Sequence, residues 1–487
     1  MTKSISPWTK RVAILTGLMF APLLAAAGPD STVVVYPAPA GVDLNDTFSV
    51  AVRPPGGGWR KLDVYDVRVD VNTLSHASFA YFDFSGEVEV KVTHNKVHVQ
   101  GVEIRPKACG INPHMTKPAN DTFTFTLNRP LNLSIEVNDD RLHNLHLFAN
   151  PIETNVPSMS DTNVIYFGPG LTTNRQITLV DSGKTVYLAG GSVVQGIIVT
   201  AKGATNVTIR GRGILDTSPW NDAKGYHVKG QDWQTASIKL RCTTNALIEG
   251  IILKQHVDYG VMGGTVDNVT IDNLKSFSSQ EWADGIDMVS SRRVKIRNCF
   301  LRTSDDCIAV YGSRGDYHGG ASDWDVGDSV FWADKAHAVM IGVHGAYRAD
   351  GDVIENLRFH NIDVLDSKEF ATNFWGCLAI TCGDKNTVRD VNFENIRVEH
   401  IREEGGYLFR LAFGYFQPST TLGRQIENIH FKDITYTGQA GSFIGGGEGR
   451  PISGVTFENL VINGQKIKDA QQGKITIGDN VSGVTFE

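Results

Sequence analysis

Charge is scarce in this 487-residue chain and its balance is negative: 20% of residues are Asp, Glu, Lys or Arg, and the net charge is −7. That gives no footing for a nucleic-acid partner and argues against a polyanionic ligand. Cysteine is also sparse. The six residues are Cys109, Cys242, Cys299, Cys307, Cys377 and Cys382, and no pair has a zinc-ligand spacing backed by a second pair. Cys299 with Cys307, and Cys377 with Cys382, are near enough in sequence to bridge in an oxidising compartment; buried free thiols account for them equally. No apolar run after residue 27 is long enough to span a bilayer. Beyond residue 155 no long helical pattern interrupts the strand-like phrases. Proline is outnumbered by glycine, 17 to 50, which points to tight turns rather than disorder. With 41% hydrophobic residues the chain is globular, and its length suits two domains or a long repeat.

What is present begins with an address. Lys3, Lys10 and Arg11 precede the run AILTGLMFAPLLAAA, which ends in Ala25, Ala26 and Ala27. Residues 1–27 read as a secretory signal peptide, with an uncleaved anchor as the alternative. The mature protein is then periplasmic or secreted, with no membrane partner after cleavage. Residues 28–155 alternate apolar and polar. In FTFTLNRPLNLSIEV the spacing puts Phe123, Phe125 and Leu127 on one face, Asn-Arg-Pro at a turn, and Leu133, Ile135 and Val137 on a returning strand. Several such strands predict an N-terminal β-sandwich.

Residues 156–487 repeat a phrase: NVTI at 206, NALI at 245, NVTI at 268, RVKI at 293, NLRF at 356, DVNF at 390, NIHF at 428, and GVTF at 454 and 483. The 63-residue gap after 293 suggests a concealed copy, placed here near DSVFW at 328–332. Strand phrases 23 to 39 residues apart are too close for propeller blades and predict a parallel β-helix. The predicted class is therefore all-β, a β-sandwich followed by a right-handed parallel β-helix.

One coil of such a helix returns the chain to the same place a rung higher, about 4.8 Å away. Asp284 and Asp305 are 21 residues apart, so they should meet on neighbouring coils, with Asp306 beside them. The pair faces one cleft only if the strand ends or bulges there. Clustered carboxylates raise one another's pKa, which supplies a proton donor near neutral pH. Glycosidic hydrolysis needs that donor and an ionised carboxylate to act on water. A calcium site and turn-capping are the competing uses.

ADGID followed by SDDCIAV and then IGVHGA resembles the polygalacturonases, glycoside hydrolase family 28, over roughly residues 160–487. A β-sandwich ahead of the solenoid also resembles the dextranase and isopullulanase family, glycoside hydrolase family 49. The resemblance implies an inverting glycoside hydrolase with a carbohydrate substrate and no cofactor or metal. Asp305 matches the general acid, Asp284 and Asp306 the pair that activates water, and His344 a histidine beside the acid. Two departures stand out. Trp282-Ala283 replaces Asn-Thr, and Leu378, Ala379, Ile380 and Thr381 stand where the family places the basic residues that hold a uronate. Lys385 or Arg410 would have to substitute. Without a fixed guanidinium the reading moves toward a neutral glycan, such as an α-glucan, or a decorated pectic side chain.

Residues 311–328 form a polar, aromatic insertion expected to shape the cleft. Trp282, Trp375, Tyr317, Trp324 and Trp332 are candidates for stacking on sugar, against ordinary core roles, and Asp287 of the ADGID element is a further candidate for binding substrate. A calcium-dependent polysaccharide lyase and a non-catalytic glycan-binding protein are the other readings.

Overall fold

A computed structural model describes residues 1, 31–117, 121–220, 236–369, 371–402 and 406–487; the expected signal peptide, apart from Met1, lies outside them. The described residues hold no α-helix, only two 3₁₀ turns among the strands. The N-terminal part is a β-sandwich: a six-stranded sheet faces a five-stranded one across an apolar core that includes Val50, Phe82, Val90 and Leu145.

The Asn-Arg-Pro turn does not close a hairpin. Thr122–Leu127 pairs with Val88–His94 in one sheet, while Leu131–Val137 pairs with Asp140–Pro151 in the other. The turn therefore carries the chain across the sandwich. The alternation survives because Phe123, Phe125, Leu133 and Ile135 enter the same core from opposite sides. A period of two fixes which face is buried, and it does not fix the partner.

The remaining thirty strands stack into one solenoid, a right-handed parallel β-helix, the hand that parallel crossovers take. The repeated phrase sets its geometry. Asn206, Asn245, Asn268 and Asn356 open their copies with φ of 56–58°, a left-handed bend that asparagine tolerates better than most residues. Their amides also form a ladder: Asn268 Nδ2 donates to Asn245 Oδ1 at 2.8 Å, and Asn245 Nδ2 to Asn206 Oδ1 at 3.1 Å. The two apolar positions of each phrase point inward.

The concealed copy is DWDV, not DSVFW. Trp324 pairs with Val294 below and Leu357 above, and Val326 with Ile296 and Phe359. Asp323 takes the bend at φ 61°. Trp324 is thus a core residue, 2% exposed, with its indole N–H donating to Ser291 O. This corrects its candidacy as a sugar platform. Trp332 is likewise fully buried, under the Arg302 guanidinium. All six cysteines are free thiols.

The sandwich lies along the flank of the coils. Tyr65, Phe79 and Phe148 from the sandwich meet Phe277, Phe300 and Trp332 from successive coils. A buried ionic cluster joins the same seam. Asp334 accepts from Arg302 Nε and Arg402 Nη2, each at 3.0 Å, and from the backbone N–H of Asp70 at 3.1 Å. Removing one member strands buried charge, so Asp334→Ala should cost about 3–5 kcal/mol. The measurement is the urea midpoint; an unchanged midpoint would show that the seam does not need this cluster.

Candidate active site

Strand register gathers the acids. Ile286 pairs with Ile308, and Ile308 with Val339. Two residues before each pairing stand Asp284, Asp306 and His337, one above the other on three coils. The register partner of Asp284 is therefore Asp306 rather than Asp305. Asp305 reaches the same place because Phe300–Thr303 ends just before it and the next strand starts at Ile308, so both aspartates sit on the intervening bend. Asp306 N donates to Asp284 Oδ1 at 3.1 Å and to Asp305 Oδ1 at 3.1 Å. Thr303 Oγ1 donates to Asp305 O at 2.7 Å, and Ser304 N to Ser278 Oγ at 2.9 Å. Gly285 is needed after the first aspartate because a Cβ there would come within 2.5 Å of Cys307 O on the next coil.

One oxygen from each of Asp284, Asp305 and Asp306 lies within 4.8 Å of the others. They open into a cleft of about 480 Å³. Burial, then repulsion from Asp306 and Glu369, raises the Asp305 pKa well above the usual carboxylate range. Burial first, then Asp287, Asp305 and Asp306, does the same to Asp284. Asp287 is 1% exposed and is pushed up by burial to about 7. It reaches the Asp284 carboxyl, with which it competes for a proton, and is shut off from the cleft, which corrects its reading as a substrate contact.

Sequence reasoning missed His337. Its Nδ1 donates to Asp306 Oδ1 at 2.6 Å and its Nε2 to Phe374 O at 2.7 Å. Burial opposes its charge, but the Asp306 carboxylate and its hydrogen bond outweigh that and raise the pKa to about 9. It is the imidazolium partner of Asp306 at neutral pH. The register rule was the available signal: the residue one coil above Asp306 is the one that touches it.

His344 lines the same cleft, but its Nδ1 meets Ser419 Oγ at 2.6 Å and its ring sits edge-on to Tyr311. Burial, then Arg314, drives its pKa far down, so it stays neutral. No hydrogen bond joins it to Asp305 among the described residues; the histidine bonded within the acid cluster is His337, and its partner is Asp306.

Among the aromatic candidates only Trp282 lines the cleft, joined there by Phe374 and Phe416. Tyr317 lies against Gly264, where a Cβ would meet its ring at 2.3 Å. Trp375 packs edge-on to Tyr407. Neither is among the cleft-lining residues, a correction to both as stacking platforms. The insertion does reach the cleft, through Arg314, whose Nη1 donates to Tyr259 Oη at 2.8 Å. Arg410 is tied to Thr381 Oγ1 at 2.8 Å and lies 6.0 Å from the Phe374 ring, and Lys385 Nζ donates to Ala349 O. A larger cavity of about 670 Å³ follows the seam between sandwich and solenoid. Some of its polar groups bond one another, as in Asn361 with Asp328 and Arg397 with Asp363, and none of Asp284, Asp305 and Asp306 lines it.

The sequence model described as "Glycosyl hydrolases family 28" matches residues 153–478. The chain is 28% identical over 246 residues to a "Probable endopolygalacturonase D" of Neosartorya fischeri, covering 48% of this chain and 44% of that one. It is 25% identical over 272 residues to a "Probable endopolygalacturonase B" of Aspergillus niger, covering 53% and 68%. It thus spans less than half the length of the first of these relatives. Among solved structures, Dex49A from Penicillium minioluteum superposes with a TM-score of 0.63 at 15% identity, covering 93% of this chain and 96% of that one. The shared fold includes the N-terminal part as well as the solenoid.

Proposed function

The chain belongs to glycosyl hydrolases family 28, and on that premise we propose that it is an exported enzyme hydrolysing glycosidic bonds in a polysaccharide or oligosaccharide, with inversion at the anomeric carbon. The observation that carries the reading is the contrast between two adjacent carboxyls. Asp305 is held protonated by burial and by Asp306. Asp306 is ion-paired to His337. One is set up as an acid and the other as a base, the division that glycoside hydrolysis requires.

Asp305 gives its proton to the glycosidic oxygen as the bond from that oxygen to the anomeric carbon breaks. A water held between Asp306 and Asp284 attacks the same carbon and passes a proton to Asp306. Asp306 uses Oδ1 for His337, leaving Oδ2 for the water. Solvent exchange resets both groups. An imidazolium at 2.6 Å from a ligand oxygen opposes a divalent cation at this cluster, so turnover should be insensitive to EDTA; strict dependence on calcium would favour the lyase reading.

Inverting pairs generally stand about 6.5–9.5 Å apart, retaining pairs nearer 5 Å. Nearest oxygens within 4.8 Å make the stereochemistry the decisive measurement. Proton NMR of fresh product should show the inverted anomer. A retained anomer would refute the water-attack step and assign one of the close carboxylates as nucleophile.

A further inference from the structure

We propose that the cleft takes a neutral sugar, whose apolar face lies on an aromatic platform formed by Trp282 and Phe416 with Phe374 behind them; this rests on the hydrolase reading above and adds the substrate class. The platform joins three separate loops. The Trp282 and Phe416 rings are 5.4 Å apart, and Phe374 meets Phe416 edge-on at 6.1 Å. All three line the cleft that holds Asp284, Asp305 and Asp306. Trp282 is 54% exposed and Phe416 47%, and neighbouring Tyr415 is 48% exposed. Large aromatic surface left in water at the rim of a catalytic cleft is surface held for a ligand.

The backbone supports the same conclusion. Trp282 has φ +64°, a conformation that is a genuine outlier for a bulky residue. Glycine or asparagine would make that bend with less strain. The chain instead puts its largest side chain there and aims it outward. The ring packs on one side against Phe416 and has Lys335 Nζ 5.4 Å from its centroid, and strain kept at the rim of a catalytic cleft fits a side chain placed for a ligand. Core burial does not explain Trp282, since half of it is in solvent.

Charge decides which sugar. The cleft is lined by five carboxyl groups, Asp258, Asp284, Asp305, Asp306 and Glu369, against three cationic side chains, Arg314, Lys335 and His337. Each cation is already engaged. His337 serves Asp306, and Lys335 Nζ is 2.9 Å from Glu281 Oε1. Arg314 bonds Tyr259 and is held by the field of Asp287 and Asp284. Arg410, on the strand beside Ala379, is turned to Thr381. With Asp305 protonated the remaining acids and the three cations nearly balance, and the one guanidinium lining the cleft, Arg314, already faces Tyr259 and the Asp284–Asp287 pair rather than waiting for a uronate. A neutral ring needs no cation to hold it, and its C–H face suits the aromatic surface.

The test uses the full-length chain and two kinds of readout. Wild type, Trp282→Ala, Phe416→Ala and Trp282→Phe are assayed on dextran, pullulan, a neutral plant galactan and polygalacturonate. Binding of the same glycans to Asp305→Asn, and to Asp305→Asn combined with Trp282→Ala, is followed by calorimetry. The expected result is turnover of a neutral glycan in preference to polygalacturonate. Trp282→Ala and Phe416→Ala should each raise KM about tenfold with little change in kcat, and Trp282→Phe should restore most of it. A higher kcat/KM on polygalacturonate than on every neutral glycan overturns the neutral-sugar proposal and leaves the hydrolase reading standing. Unchanged KM in both alanine variants overturns the platform. Neutral-glycan binding that is lost with Trp282→Ala, in a wild type that hydrolyses nothing, upholds the platform and defeats the hydrolase reading. Absence of both turnover and binding for every neutral glycan overturns the proposal.

Discussion

Asp305→Asn should lower turnover by about 10²–10⁴-fold, the range a positioned general acid supplies, while the protein becomes more resistant to unfolding at neutral pH. The two effects share one cause. Burial and the neighbouring acids raise the folded-state pKa of Asp305 above the ordinary 3.8. Folding therefore either adds a proton to this carboxyl or buries its charge, and either one costs free energy that the unfolded chain does not bear. That cost destabilises the wild type at every pH above about 3.8. Asparagine has the same shape, keeps an oxygen for the Asp306 N–H, and carries no such cost. Thermal unfolding should show the variant above wild type at pH 7, with the gap closing as the pH falls toward the unfolded-state value of about 3.8. The kinetic loss should shrink on an aryl glycoside whose leaving group needs no proton. A uniform loss on both kinds of substrate would show that Asp305 shapes the cleft rather than donating a proton. Near-wild-type turnover of the natural glycosidic bond would remove it from the chemistry altogether.

What could be read from the sequence, and what could not, follows from how a β-helix is built. The phrase that recurs as NVTI, NALI and RVKI carries its own register: one asparagine-like bend and two inward apolar positions. Its period announces the solenoid. The same rule exposes the limits. Trp324 looks like a cleft aromatic when read in the insertion. It is a core residue once DWDV is recognised as the missing copy, because a tryptophan can fill the position that Val294 and Leu357 fill on adjacent coils. Asp284 and Asp305 were legible as neighbours because one coil is about their spacing. The one-residue difference between Asp305 and Asp306 decides which is stacked and which is offset, and it depends on where strand Phe300–Thr303 stops. The platform was half legible. Trp282 follows directly from its place beside Asp284, while Phe416 comes from a loop more than 130 residues away that no periodicity ties to it. In the sandwich, alternation gave the buried faces of Thr122–Leu127 and Leu131–Val137 but assigned them to one sheet instead of two.

His337 had no motif to mark it, and its removal should produce the other large effect. His337→Asn retains a donor close to where Nδ1 stands but removes the charge; His337→Ala removes both. Turnover should fall by about 10²-fold in the alanine variant, the penalty of a misplaced reacting group, and by less in the asparagine variant. His337 is proposed to act through Asp306, to which it is bonded, so its signature is a pH dependence. Its folded pKa is raised from 6.5 to about 9 by the Asp306 carboxylate, against burial. A raised histidine pKa contributes stability that is fully present below about 6.5 and disappears as the pH climbs through about 9. With the pair buried, the contribution is on the order of 3 kcal/mol. Wild type should therefore exceed both variants in unfolding midpoint at pH 6, and the difference should narrow steadily to pH 9.5. A gap that stays constant across that window would mean that His337 stabilises the coil by packing alone, and that Asp306 holds its place beside Asp284 without a counter-charge.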